Sequence, residues 1–124
     1  MRQVEFIGKG GQSKVFKVAH DQYFALKELE IPKRNEDFVS CMRRLLHEYE
    51  MINLLDHPNI IKPIGFFFGD EIHPPSILLE YCPYDLSRVV KNLSDVERVT
   101  SIYEICCAMK KVHESRMIHR DLKP

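Results

Sequence analysis

Hydrophobic and polar residues alternate with a period near two in the first part of this chain and recur at helical spacing in the last part. Val4-Glu5-Phe6-Ile7, Val15-Phe16-Lys17-Val18 and Tyr23-Phe24-Ala25-Leu26-Lys27-Glu28-Leu29 read as three strands. Gly8-Lys9-Gly10-Gly11 and His20-Asp21 are the turns between them, and Pro32 ends the third run. Met42, Leu45, Leu46, Tyr49 and Ile52 then repeat at helical spacing with charges between, until His57-Pro58-Asn59 stops the pattern. Residues 60–68 and 77–81 read as two more extended segments, separated by Gly69-Asp70 and Pro74-Pro75. The remainder is helical. Asp85-Leu86-Ser87 opens a short helix, and Ser94-Asp95-Val96-Glu97 has the form of a capping box. Behind that box lies the apolar stripe Val99, Ile102, Ile105, Cys106, Met109 and Val112. An antiparallel sheet with one helix, followed by helices, predicts the α+β class.

Composition narrows the picture by exclusion. The chain has 124 residues and is 44% hydrophobic, as a globular domain or part of one would be. Eighteen Lys and Arg balance eighteen Asp and Glu, so charge offers no argument for nucleic acid or an anionic membrane as a partner. Cys41, Cys82, Cys106 and Cys107 form no C-x-x-C pair, which disfavours a zinc site; no metal ligands are assigned. The adjacent Cys106 and Cys107 read as small buried hydrophobes of a reduced protein. Arg2, Gln3 and Glu5 break any leader-like apolar run, and the stretch 64–69 is too short to span a bilayer, so a soluble cytoplasmic protein is expected.

Three places carry candidate chemistry. Gly8-Lys9-Gly10-Gly11-Gln12-Ser13-Lys14-Val15 fits G-x-G-x-x-G-x-V with Ser13 for the third glycine. Glycines there would let backbone N–H groups approach phosphates. Alone, three glycines between two strands are more often just a hairpin. A strand follows it, which excludes a Rossmann motif, and no Gly-Lys-Ser/Thr closes it as in a Walker A loop. Lys27, in Phe24-Ala25-Leu26-Lys27, lies among apolar neighbours and needs a counter-charge. Glu48 shares the inward face of the helix with Leu45 and Ile52 and is the candidate, whereas Glu28 and Glu50 point elsewhere. Finally, His119-Arg120-Asp121-Leu122-Lys123-Pro124 matches the start of H-R-D-L-x-x-x-N.

Glycine turn, A-x-K strand, helix Glu, H-P-N turn and H-R-D segment arrive in one order at compatible spacing. In this the chain resembles the eukaryotic protein kinases, of serine/threonine type, across nearly its whole length. The resemblance implies a small ATP-binding lobe over residues 1–79, a hinge over 80–84 and the start of a large lobe over 85–124. It implies that ATP is clamped by Ile7, Val15, Ala25 and the gatekeeper Leu79 around the base, and by Gly8, Gly10, Gly11 and Ser13 over the phosphates. Glu80 and Cys82 would bond adenine through backbone groups, and Asp85 would touch ribose. Lys27, held by Glu48, would grip the phosphates. Asp121 would take the proton of a protein Ser or Thr hydroxyl, and Lys123 would steady the transferred phosphate. The family also uses Mg2+, held by an Asn five residues after the catalytic Asp and by a D-F-G segment; neither lies within the 124 residues. These residues alone are therefore expected to be inactive, with a non-catalytic nucleotide- or protein-binding kinase remnant as the alternative. In the family the stripe from Val99 to Val112 packs into the large lobe; within these 124 residues much of it is expected to stay wet.

Overall fold

A computed structural model describes residues 1–30, 37–117 and 122. Pro32 and the residues 119–121 and 123–124 of the H-R-D segment lie outside the described residues. The elements are β1 (Arg2–Lys9), β2 (Ser13–Ala19), β3 (Tyr23–Leu29), α1 (Phe38–Leu54), β4 (Pro63–Phe67), β5 (Ser76–Glu80), α2 (Leu86–Val89), a 3-10 turn at Val90–Asn92 and α3 (Asp95–Glu114). The strands form one five-stranded sheet in the order β1-β2-β3-β5-β4, every neighbouring pair antiparallel. The chain divides into two compact units, Met1–Leu54 with Ile61–Tyr81, and Leu55–Ile60 with Cys82–Pro124.

In the first unit, register decides which side chains share a face. Val15 pairs Lys27 and Lys27 pairs Ile77; Lys17 pairs Ala25 and Ala25 pairs Leu79. Directly opposed residues point to the same side of a sheet, so these two rows lie on one face, and Leu26, Glu28 and Leu78 lie on the other. Helix α1 covers the first face. Ala25, Leu29, Cys41, Leu45, Ile77 and Leu79 form its core, with Val15, Met42, Tyr49, Ile61 and Phe66 packed against it. Ile77 is 0% and Cys41 1% exposed. Cys41 precedes Leu45 by one helical turn and so belongs to the same stripe. Asp37 starts α1 by accepting from the Val39 backbone N–H at 3.1 Å.

Several strand boundaries differ from the sequence expectation, notably at the glycine turn and before β4. Strand β1 runs through Gly8 and Lys9, because both still pair with β2, opposite Val15 and Lys14. The turn is thereby shortened to Gly10, Gly11 and Gln12. Strand β4 starts only at Pro63, since the Ile60 N–H is taken by the His57 carbonyl in the turn before it.

The β4–β5 connection is tightly built. Gly69 adopts φ +83°, and a Cβ there would stand 2.5 Å from the His73 carbonyl oxygen, so only glycine fits. The Asp70 carboxylate accepts from the backbone N–H groups of His73 (2.7 Å) and Ile72 (2.8 Å) and meets the His73 ring at 3.1 Å. The His73 N–H, then the Ile72 N–H, then the ring, lower the Asp70 pKa from 3.8 to about 2.

In the second unit the expected capping box is present: Ser94 Oγ accepts from Glu97 N at 3.2 Å and Glu97 Oε2 accepts from Ser94 N at 2.6 Å. The H-P-N turn packs on α3 through Asn59 Nδ2, which donates to the Glu104 carbonyl at 3.1 Å. Ala108 and Val112 are buried, whereas Val99 and Ile102 are 67% and 61% exposed. Cys106 is exposed and Cys107 half-buried, so the expectation of two buried thiols is corrected. Adjacent helical residues point about 100° apart, and the buried stripe here runs through Ala108 and Val112.

We expect Ile77→Ala and Leu45→Ala each to cost about 2–5 kcal/mol in urea unfolding. Val99→Ala should stay within about 0.5 kcal/mol, being a surface change. The folded pKa of Asp70 lies below its unfolded value, so its stabilising effect is complete above the unfolded pKa and is lost as pH falls from about 3.8 toward 2. A carboxyl NMR titration should find Asp70 still ionised at pH 3; a midpoint at or above its ordinary value would show that the turn is not formed in solution.

Candidate functional site

The site is assembled on the covered face of the sheet. Strand β3 offers Ala25 and Lys27, β5 offers Leu79, β2 offers Val15, and α1 offers Glu48. Lys27 Nζ lies 2.5 Å from Glu48 Oε1, across 21 positions of sequence. The Lys27 side chain is 24% exposed and that of Glu48 41%. An ammonium this far withdrawn from water requires a carboxylate, and the pair is short enough for a charge-assisted hydrogen bond. Leu45 and Cys41, buried one and two turns before Glu48, set the height of α1 on the sheet and hence the reach of Glu48. Glu50 is exposed, and Glu28 lies on the other face of β3, so neither competes.

Beside Lys27 the same face is apolar. Ala25 and Leu79 are opposed and 8% and 9% exposed, with Val15 half-buried next to Lys27. Ile7, near the end of β1, is exposed. A Cβ added at Gly8 or Gly11 would meet nothing within 4 Å, so open space stands above the turn. Gly10 is closed in: its N–H donates to the Ser13 carbonyl at 2.8 Å, and a Cβ would come 3.3 Å from Ser13 Oγ. Ser13, standing for the third glycine, is 6% exposed at the first position of β2.

Glu80 ends β5 with its side chain turned to the chain before β4. Its Oε1 accepts from Lys62 N at 2.9 Å, and its own N–H donates to the Lys62 carbonyl at 3.1 Å. Next to it, Tyr81 meets Tyr23 edge-on at 6.1 Å, and Lys17 Nζ lies 4.0 Å above the Tyr23 ring and 4.7 Å from that of Tyr81. Nothing in the sequence pattern singled out this trio.

Cys82 and Asp85 belong to the second unit. Cys82 is exposed. Asp85 caps α2: it accepts from the Arg88 N–H at 2.9 Å and from the Ser87 hydroxyl, and it pairs with Arg88 Nε at 3.3 Å. The Ser87 hydroxyl, then the Arg88 N–H, hold its carboxyl below the usual range. A sugar hydroxyl at Asp85 would share an acceptor already in use. Asp121 and Lys123 lie outside the described residues.

A lysine fixed by a carboxylate, an apolar floor beside it and open space at Gly8 and Gly11 fit a nucleoside polyphosphate in chemical type. A divalent metal is a different matter. Among the described residues no group of three or more His, Cys, Asp or Glu could hold one, and Glu48 is committed to Lys27. A separate concavity of about 430 Å3 at the β4–β5 turn, lined by Lys14, Phe38, Phe68, Asp70 and Pro75 among others, includes none of Lys27, Ala25 and Leu79. Among the described residues, no helix is long and apolar enough to cross a membrane.

The protein kinase domain family matches residues 1–124. The chain belongs to the protein kinase family. It is similar to the cell cycle serine/threonine-protein kinase CDC5/MSD2 of Saccharomyces cerevisiae, with 34% identity over 95% of this chain and 17% of the relative. It is also similar to the stress-activated protein kinase jnk-1 of Caenorhabditis elegans (30% identity, 99% of this chain, 28% of the relative) and to the Aurora kinase of Saccharomyces cerevisiae (29%, 95% and 33%). The chain spans about a third or less of the length of these relatives. Its sheet with α1 is the small lobe of a kinase, and the helices after it are the start of the large lobe.

A double-mutant cycle on Lys27→Met and Glu48→Gln should give a coupling of about 0.5–1 kcal/mol in unfolding free energy, as for a partly exposed contact pair. Strictly additive effects would mean that the pair is not populated in solution.

Proposed function

We propose that this chain is the nucleotide-binding part of an ATP-dependent protein kinase that phosphorylates Ser or Thr hydroxyls. The observation that carries the reading is the Lys27–Glu48 pair, held on the same sheet face as Val15, Ala25 and Leu79. Ile7, Val15, Ala25 and Leu79 enclose the adenine, whose edge bonds the Glu80 carbonyl and the Cys82 N–H. Gly8, Gly10, Gly11 and Ser13 let the turn approach the phosphates, and Lys27, oriented by Glu48, neutralises charge on them. Asp85 reaches the ribose with the acceptor capacity left after capping α2.

Asp121 accepts the proton of the substrate hydroxyl as it attacks the γ-phosphate. Lys123 donates to that phosphate, and a lysine at this position favours Ser or Thr over Tyr. Mg2+, when bound in the complete family domain, offsets phosphate charge. Its usual ligand positions are not among these 124 residues. Losing one preorganised group at such a transition state costs on the order of a hundredfold in rate. Residues 1–124 alone are therefore proposed to bind ATP without transferring phosphate. Lys27, Glu48 and Asp121 together support an enzyme over a non-catalytic remnant, which has no need of all three.

A thermal-shift titration with ATP tests this. The melting temperature of the unaltered chain should rise with ATP, as linkage requires of a ligand that binds the folded state. Lys27→Met should shift the half-saturating concentration upward by roughly tenfold, the loss of one charge-assisted contact. No shift in either protein would remove the case for a nucleotide pocket here, and magnesium-dependent phosphate transfer by these residues would overturn the proposed inactivity.

A further inference from the structure

The glycine turn and the Lys27–Glu48 pair are joined by contacts that the nucleotide reading does not require. Gln12 stands in the turn. Its backbone carbonyl accepts from the Glu30 N–H at 2.8 Å, and its side-chain Oε1 accepts from Arg44 Nη1 at 3.1 Å. Arg44 lies on α1 four residues, about one turn, before Glu48. Glu30 follows β3, three residues after Lys27. Its carboxylate lies 3.3 Å from Lys9 Nζ and 3.9 Å from Lys14 Nζ, the two residues opposed across the base of the turn.

Each contact by itself is a surface contact of small worth. Their arrangement is not scattered, however. The end of β3 grips both arms of the β1–β2 hairpin and the tip of its turn, and that tip grips α1. Glu30 is also partly withdrawn from water, with its side chain 20% exposed. The choice of Gln12 is chemically pointed as well. An amide oxygen binds one arm of the Arg44 guanidinium without placing negative charge where phosphates are to sit.

We propose that Gln12 is a positioning residue that couples the seating of the glycine turn to the position of α1. When the turn is seated, Gln12 holds Arg44 and α1 stays where Glu48 reaches Lys27. When the turn lifts, α1 loses a tie one turn from Glu48. The coupling stands on the nucleotide-free structure; its consequence for ATP rests on the nucleotide reading above.

Hydrogen exchange on the nucleotide-free chain tests the coupling, with Gln12→Ala, Arg44→Ala, the double variant and Gln12→Glu. Each alanine variant should quicken exchange about threefold to tenfold, the worth of one hydrogen bond, in residues 8–13 and in residues 41–48 alike. The double variant should add little, and Gln12→Glu should restore protection by pairing with Arg44. Effects confined to the mutated element, or additive in the double variant, would overturn the proposal. Unchanged melting curves separate coupling from general unfolding.

An ATP titration of the same proteins supplies a second readout. Gln12→Ala and Arg44→Ala should weaken ATP binding by a similar factor, and the double variant by no more than either, although only Gln12 stands in the turn; independent effects would mark two unrelated structural contacts. Binding equal to that of the unaltered chain in all variants would overturn the functional consequence. No ATP binding by the unaltered chain would instead overturn the nucleotide reading and leave the exchange result standing.

Discussion

The first unit depends on the apolar seam between α1 and the face of β3 and β5. Ile77, Cys41, Leu45 and Leu29 are almost fully withdrawn from water there, and burial of Ile77, Leu45 and Leu29 contributes roughly 1.5–3 kcal/mol apiece. A close-packed seam allows the helix few positions. That restriction brings Glu48, the polar member of an otherwise apolar stripe, to hydrogen-bond distance of Lys27. The ion pair is thus a consequence of packing more than a cause of it. Withdrawing the Glu48 carboxylate while α1 stays on the sheet would leave Lys27, 24% exposed, without that counter-charge.

Around the seam the polar contacts work at the periphery and tie elements rather than form the core. Glu80 links β5 to the chain before β4, Lys17 bridges Tyr23 and Tyr81 at the end of β5, and Glu30 and Gln12 hold the glycine turn. All lie at least partly in water, where such contacts are individually modest and respond to salt. The second unit follows the same economy: a capping box starts α3, Asp85 starts α2, and Asn59 fastens the H-P-N turn to α3.

Much of this was legible along the chain. The alternation in residues 23–29 and the helical stripe through Leu45, Tyr49 and Ile52 located β3 and α1, because period alone distinguishes a pleated strand from a helix. Glu48 could be chosen over Glu50 for the same reason. Ser94 and Glu97 announced their own bonds, which are local. The length of β1 was not legible, because pairing of Gly8 and Lys9 with β2 is settled across strands. Cys106 was misread because cysteine is apolar enough to suit either side of a helix, and only the neighbours decide.

Patterns along the chain suffice for the order of elements, the α+β class, the kinase resemblance and the choice of Lys27 and Glu48 as a candidate pair. These are encoded by short-range period, turn chemistry and spacing. Which residues meet is set by the folded chain: Lys27 with Glu48, Gln12 with Arg44, Glu30 with both arms of the β1–β2 hairpin, Asn59 with α3. Such contacts join residues distant in sequence, so no local pattern carries them. They exist because sheet register and the apolar seam set the distances at which polar groups can close.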